Sequence, residues 1–145
     1  MPAAPPSRRL FFLLSAGARR VQRWIDAELA GMGGLTQAQS GLLFFLGKKG
    51  GALIGEAADA LDVAPSAMTG LVDRMARSGL VERRPDAADG RSHRLYLTDA
   101  GRAARAAAID GLKDLNTTLT DGFTEVEVAT IARWLSSLQT RFPRR

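Results

Sequence analysis

Arginine supplies 17 of the 20 basic residues in this 145-residue sequence, which carries a formal net charge of +5. Guanidinium groups make planar, two-point contacts with phosphates and carboxylates, so an anionic polymer is the first partner to consider. The charge is concentrated. Residues 63–97 hold six arginines against four acids, and the segment contains the turn Asp89-Gly90-Arg91. Catalytic chemistry finds much less to work with. There is no cysteine and a single histidine, His93, so thiol nucleophiles, disulfides and tetrahedral metal sites are excluded or poorly served. The carboxylates do not cluster, which leaves no nucleophile–base pair. No metal or cofactor is called for. The stretch 41–49, GLLFFLGKK, is a poor phosphate loop: its spacing is one residue too long, no Ser or Thr follows the lysine, and its interior is apolar helix.

These arginines must be positioned by a mainly helical chain. Hydrophobic residues make up 46% and charged residues 24%, ordinary values for a globular protein. Residues 2–6 read as a frayed start. A long amphipathic helix follows from about Arg8 to Ala30, stopped by Gly31-Met32-Gly33-Gly34. Its start, with Arg8-Arg9 before an apolar run, is similar to an export leader. The apolar face Leu10, Leu14, Val21, Ile25, Leu29 nevertheless continues through Arg19, Arg20 and Arg23, which favours a helix of the mature fold. The run is also too short to span a bilayer. Thr36 to Gln39 has the form of a capping box for a helix over 37–48. A short helix spans about Ile54 to Leu61, and another begins at Pro65 and runs to about Arg77, with Gly79 as its stop. Leu80–Arg84 and Ser92–Leu97 read as a β-hairpin around a polar loop. Thr98 opens an alanine-rich helix predicted to reach about Leu119, and a second capping box at Thr124–Glu127 opens a last helix to about Arg141.

Two short helices joined by a tight turn and followed by a hairpin make a winged helix-turn-helix. In the second of them Met68, Leu71, Val72 and Met75 recur at helical spacing and face inward. Ser66, Ala67, Thr69, Gly70, Asp73, Arg74 and Arg77 are left on the other side. Small residues let a helix sink into a major groove, where hydroxyls and arginines reach base edges and phosphates. On the hairpin, Arg91 at the loop is placed for an adjacent minor groove, and Asp89 is expected to hold its guanidinium by a carboxylate pair. Arg83, Arg84 and Arg94 on the stem are candidates for phosphate contacts. His93, at the base of the wing, reads as structural or as a further phosphate contact.

The segments GLTQAQ and LDVAPSAMTGLVDRMARSGLVERRPDAADGRSHRLYLTDAG, with their flanking helices, resemble the MarR (multiple antibiotic resistance regulator) family of bacterial transcription regulators. The resemblance runs from about Leu10 to Phe142. It implies an intertwined helical dimerisation region (8–33 and 98–142) joined to a winged helix-turn-helix lobe (35–97) in one domain. It also implies a homodimer that reads a pseudo-palindromic operator in double-stranded DNA. Ser66, Ala67, Thr69, Gly70 and Arg74 then fall on the recognition face, and Asp89 and Arg91 match the family's wing pair. The sequence departs from the pattern at Ala64, where Ser commonly caps the recognition helix. It departs again at Gly70, where a larger polar residue is usual, and at Ala57, where Leu is usual.

Apolar faces on the late helices (Leu112, Leu115, Leu119, Val128, Ile131, Leu135, Leu138) and on the first helix exceed what one small lobe can bury, so a second copy is their expected cover. The family resemblance implies a small-molecule effector, often an aromatic anion, bound between the dimer helices and the lobe. Arg20, Arg23, Trp24 and Phe45 are the candidates to line such a site, with ordinary packing as their other reading. The resulting expectation is a cytoplasmic, DNA-binding repressor with no membrane association. The rival readings are a winged domain used only for protein contacts, which predicts no salt-dependent DNA affinity, and a small enzyme.

Overall fold

Threonine side chains at 36, 98 and 124 cap the starts of three helices in the computed structural model, which describes residues 9–31 and 34–143. The expected frayed start at 2–6, Ser7-Arg8 and the Met32-Gly33 part of the first stop lie outside the described residues. Helix α1 runs Leu10–Ala30 and α2 runs Gln37–Lys48. The capping box opening α2 is complete: Thr36 Oγ1 accepts from the Gln39 N–H at 3.1 Å, and Gln39 Oε1 accepts from the Thr36 N–H at 3.0 Å. Strand β1 (Ala52–Leu53), α3 (Ile54–Ala60), α4 (Pro65–Arg77), β2 (Val81–Pro85), β3 (His93–Leu97) and α5 (Asp99–Gly111) follow.

The wing is a three-stranded antiparallel sheet in the order β1-β3-β2. The β2–β3 hairpin pairs Val81 with Leu97, Arg83 with Leu95 and Pro85 with His93. Strand β1 escapes any periodicity argument, because two residues cannot show alternation. It forms because Gly51, at φ 77°, turns the chain so that its N–H donates to the Leu95 carbonyl at 2.9 Å.

The core lies between α2, α3, α4 and the sheet. The inward side chains of α4 (Met68, Leu71, Val72, Met75) pack with Leu42, Leu43, Leu46, Val81, Leu95 and Leu97, all of them buried. Ala57 is fully buried in the same cluster. Helix α4 starts at Ala64 with extended backbone but no side-chain cap. Ala64→Ser is therefore expected to stabilise the lobe by about 1 kcal/mol, read as a shift in the denaturant midpoint with an unchanged slope. Its other end is closed by Gly79 at φ 76°, a left-handed position that glycine occupies at little cost.

The predicted continuous helix from Thr98 to Leu119 is two helices. Helix α5 ends at Gly111, and α6 spans Leu115–Thr120 before α7, Glu125–Arg141. Gly111, the last residue of α5, is a weak helix former at the break. The chain gathers into two compact units, Met1–Leu112 and Lys113–Arg145. The second carries α6 and α7, and α7 starts from a complete capping box between Thr124 and Glu127. None of its helical residues is buried, and Val126, Ile131 and Leu135 are exposed. In the first unit α1 buries only Leu29 and leaves Phe11 and Phe12 about 70% exposed, 71% and 70%.

Candidate nucleic-acid interface

The outward face of α4 is built as its sequence spacing requires. Once the four apolar side chains turn inward, Ser66, Ala67, Thr69, Arg74 and Arg77 are exposed and Gly70 is half-buried. Internal hydrogen bonds then divide this face into committed and free groups. Thr69 Oγ1 donates back to the Pro65 carbonyl at 3.0 Å, and Arg77 Nε donates to the Asp73 carbonyl at 3.4 Å. Arg74 has no acid partner among the described residues. A Cβ at Gly70 would meet only the Arg74 Nη1, at 3.5 Å, which is ordinary contact. Packing inside the lobe therefore does not require glycine there.

The wing is held by two aspartates, and one expectation needs correcting. Asp89 does not pair with the Arg91 guanidinium. Its Oδ1 accepts from the Arg91 backbone N–H at 3.0 Å, and its Oδ2 accepts from Ser92 Oγ at 3.2 Å. Short carboxylate side chains cap the backbone two residues on, and that local contact fixes the turn. The Arg91 side chain is left exposed at the loop with its guanidinium unpaired among the described residues. Asp86 secures the other side of the loop. Its N–H donates to the Ser92 carbonyl at 2.9 Å, and its Oδ1 accepts from Arg94 Nε at 3.0 Å. Arg94 also donates through Nη1 to the Gly51 carbonyl at 2.6 Å, so it ties β3 to both the wing loop and the turn before β1. The Arg94 hydrogen bond holds the Asp86 carboxyl below its ordinary range, opposed by partial desolvation and helped by the Ala87 and Ala88 N–H groups. A lowered carboxylate stabilises the fold above the ordinary aspartate range and loses that contribution as pH falls through the lowered value. The wing clamp is thus intact at neutral pH.

The remaining stem arginines are engaged within the lobe. Arg83 forms an ion pair with Asp73 across α4 and β2. Arg84 pairs with Glu82 and lies over the Tyr96 ring, its Cζ 4.3 Å from the centroid. The Asp73–Arg83 and Asp86–Arg94 pairs were not legible beforehand, because each joins elements whose relative placement only the fold provides. The sequence signal available was an acid on each side of a basic stem. His93 is exposed in β3.

Among the described residues of this unit, two of the clefts adjoin the wing strands. One, of about 520 Å³, is a shallow recess between α4 and β2 lined by Asp73, Ala76, Arg77 and Arg83. The other, of about 510 Å³, lies between the end of α2, the wing strands and α5. The four residues read as an effector lining fall in neither. Arg20, Arg23 and Trp24 are exposed along α1, and Phe45 is half-buried against the core of the lobe.

Arg74 exposed on the helix face, beside a wing that presents Arg91 unpaired among the described residues, is chemistry suited to a nucleic-acid duplex. The MarR family profile matches residues 33–92. The chain is 30% identical over 118 residues, 81% of both chains, to YsmB, an HTH-type transcriptional regulator of Bacillus subtilis (strain 168). The chain belongs to the MarR family. It is also 31% identical over 105 residues to MdtR, an HTH-type transcriptional repressor of the same organism, covering 72% of this chain and 68% of that one. Its fold superposes on a mutant MarR from E. coli complexed with operator DNA, with a TM-score of 0.81, 27% identity, and coverage of 92% of this chain and 94% of that one. This MarR-family chain is accordingly a DNA-binding transcription regulator with a winged-helix fold. The solved relative carries DNA, and α4 and the wing are the parts of this lobe whose chemistry suits that partner.

Proposed function

We propose that this MarR-family regulator is a cytoplasmic homodimeric repressor, not an enzyme. It reads a pseudo-palindromic operator through α4 in the major groove and Arg91 in the minor groove. The observation that carries the reading is the pairing of free groups: Arg74 on the exposed helix face and Arg91 on the wing, where the other stem arginines are held internally. Homodimerisation is supported by the exposed apolar residues of α1, α6 and α7, including Phe11, Phe12, Leu119, Ile131 and Leu135. A second copy would cover faces of this extent, and α1, α5, α6 and α7 would supply the dimerisation region. Release by a small aromatic anion belongs to the same proposal, with Arg20, Arg23, Trp24 and Phe45 as its first candidates. Ligand binding there would lower DNA affinity only by favouring a spacing of the two lobes that fits the operator less well.

Selection of bound fragments from a random duplex library at physiological salt tests this function. The expected result is a pseudo-palindrome with half-sites about one helical turn apart, bound with an affinity that falls steeply as salt rises. Failure to enrich any sequence, with no salt-dependent DNA affinity, would overturn the reading in favour of a protein-contact module.

Gly70 gives a further test of groove entry. Gly70→Ala should raise stability by up to about 1 kcal/mol, because alanine is the better helix former and the new methyl meets no clash. The same methyl projects from the face that approaches DNA, so operator affinity should fall while the melting temperature rises. Equal or tighter binding by the variant would show that close approach at Gly70 is not used.

A further inference from the structure

The outer half of the wing has no core of its own. Val81, Leu95 and Leu97 anchor the base of the β2–β3 hairpin, but no residue from 82 to 94 is buried. Strand β1 pairs with β3 only at Leu95 and Arg94. The loop beyond is closed by bonds of its own, from the Asp86 N–H to the Ser92 carbonyl and from the Arg91 N–H and Ser92 Oγ to Asp89. Those contacts fix the shape of the turn. They leave its direction open, because a two-stranded ribbon twists readily about its base. Direction matters for Arg91, since a narrow minor groove admits a side chain only along its own line.

Two side chains set that direction, one on each face of the hairpin. The register places Arg83 opposite the buried Leu95, and Arg94 with Arg84 on the other face. Arg83 reaches α4 through its ion pair with Asp73. Arg94 holds the second face, with Nη1 donating to the Gly51 carbonyl at 2.6 Å and Nε to Asp86 Oδ1 at 3.0 Å. The anchor at Gly51 is itself fixed. Its N–H donates to the Leu95 carbonyl at 2.9 Å, so both polar groups of Gly51 are spent on β3. At the other end the Asp86 side chain is only 14% exposed, so its carboxylate is committed to the lobe. With Nε and Nη1 both engaged, Arg94 is poorly placed for the phosphate contact that its charge suggested.

We propose that Arg94 is a positioning residue for the minor-groove contact: by bracing the Asp86 end of the loop against the Gly51 turn, it sets the direction in which Arg91 is presented. The assignment rests on the operator reading and adds to it a residue that acts without touching DNA.

A double-mutant cycle with Arg91→Ala on the selected operator tests the assignment. Arg94→Ala should weaken operator binding roughly tenfold, the scale of one lost base-pair discrimination. It should also remove the A·T preference beneath the wing and keep the base preferences beneath α4. In the Arg91→Ala background the same change should cost less than about twofold, because the contact it serves is already gone. Arg94→Lys keeps the charge, but one ammonium cannot span Asp86 and Gly51 as the planar fork does, so it should behave as Arg94→Ala. Asp86→Ala is the second variant, and its loss should likewise depend on Arg91.

Equal losses in both Arg91 backgrounds, with near-parental binding by Arg94→Lys, would make Arg94 a phosphate contact and overturn the assignment. A parental A·T preference in folded Arg94→Ala and Asp86→Ala would overturn it too. Backbone amide relaxation by NMR supplies an arm free of DNA, in which residues 87–91 should be more mobile in Arg94→Ala than in the parent, with α4 unchanged. A loop as rigid as the parent's overturns the brace whether or not the parent selects an operator. A parent that selects none overturns the operator reading, and with it the role given to Arg94.

Discussion

Arg74→Ala is expected to erase the preference for one base pair in each half-site and to cost about 1–3 kcal/mol per half-site. The expectation follows from which groups on α4 are free. Thr69 returns its hydroxyl proton to the Pro65 carbonyl, and the Arg77 Nε is directed to the Asp73 carbonyl. Arg74 is exposed without an acid partner among the described residues, and it has a long reach and a planar fork suited to the acceptor edge of guanine. Arg77 lies at the last turn, where a contact to phosphate is the better fit. Arg77→Ala should therefore weaken all sequences alike and lower the salt slope by about one. Titrating each variant against a panel of operators with single base changes separates the two. A uniform loss for Arg74→Ala would reassign that side chain to the backbone.

Gly101→Ala is expected to destabilise the lobe by about 3 kcal/mol, at the upper end of the cost of overpacking. Gly101 is buried in the first turn of α5, and a Cβ there would lie 2.0 Å from the Leu80 carbonyl oxygen. That obstacle is backbone, so no rotamer change relieves it. The same junction is tied by Thr98, whose Oγ1 donates to the Gly79 carbonyl at 2.5 Å while accepting from the Gly101 N–H at 3.0 Å. Opening it would shift α5 against the end of α4 and the start of β2. Thermal unfolding at matched protein concentration should show a melting temperature lowered by roughly ten degrees. A variant as stable as the parent would mean that the junction relaxes freely.

The sequence was most informative where a pattern is local. Capping boxes at Thr36 and Thr124, the inward spacing of Met68, Leu71, Val72 and Met75, and the glycine stop at Gly79 each depend on a few neighbouring residues, and each is present as expected. The exposed outer face of α4 follows from the same spacing. Features that depend on distant pairing were not legible. Strand β1 exists because Gly51 meets Leu95 across the sheet, and the clamp on Asp86 and Gly51 depends on Arg94 reaching a carbonyl 43 residues earlier in the chain. The role of Asp89 was read from charge complementarity with Arg91, but a backbone N–H two residues away is nearer than a mobile guanidinium. The helix after Thr98 was overextended because its alanine-rich composition outweighed a glycine that ends it. Gly101 gave no signal at all, since its need is set by the approach of the Leu80 carbonyl.

The division of labour between α4 and the wing can be measured by base-pair substitution within the selected operator. An inosine·cytosine pair presents the minor groove of an A·T pair and the major groove of a G·C pair. Replacing A·T pairs beneath the wing by inosine·cytosine should leave affinity nearly unchanged, and Arg91→Ala should remove the preference for A·T over G·C there. The same replacement beneath α4 should weaken binding by about 1–3 kcal/mol per discriminated pair. Tolerance beneath α4 together with loss beneath the wing would reverse the groove assignment and contradict the account.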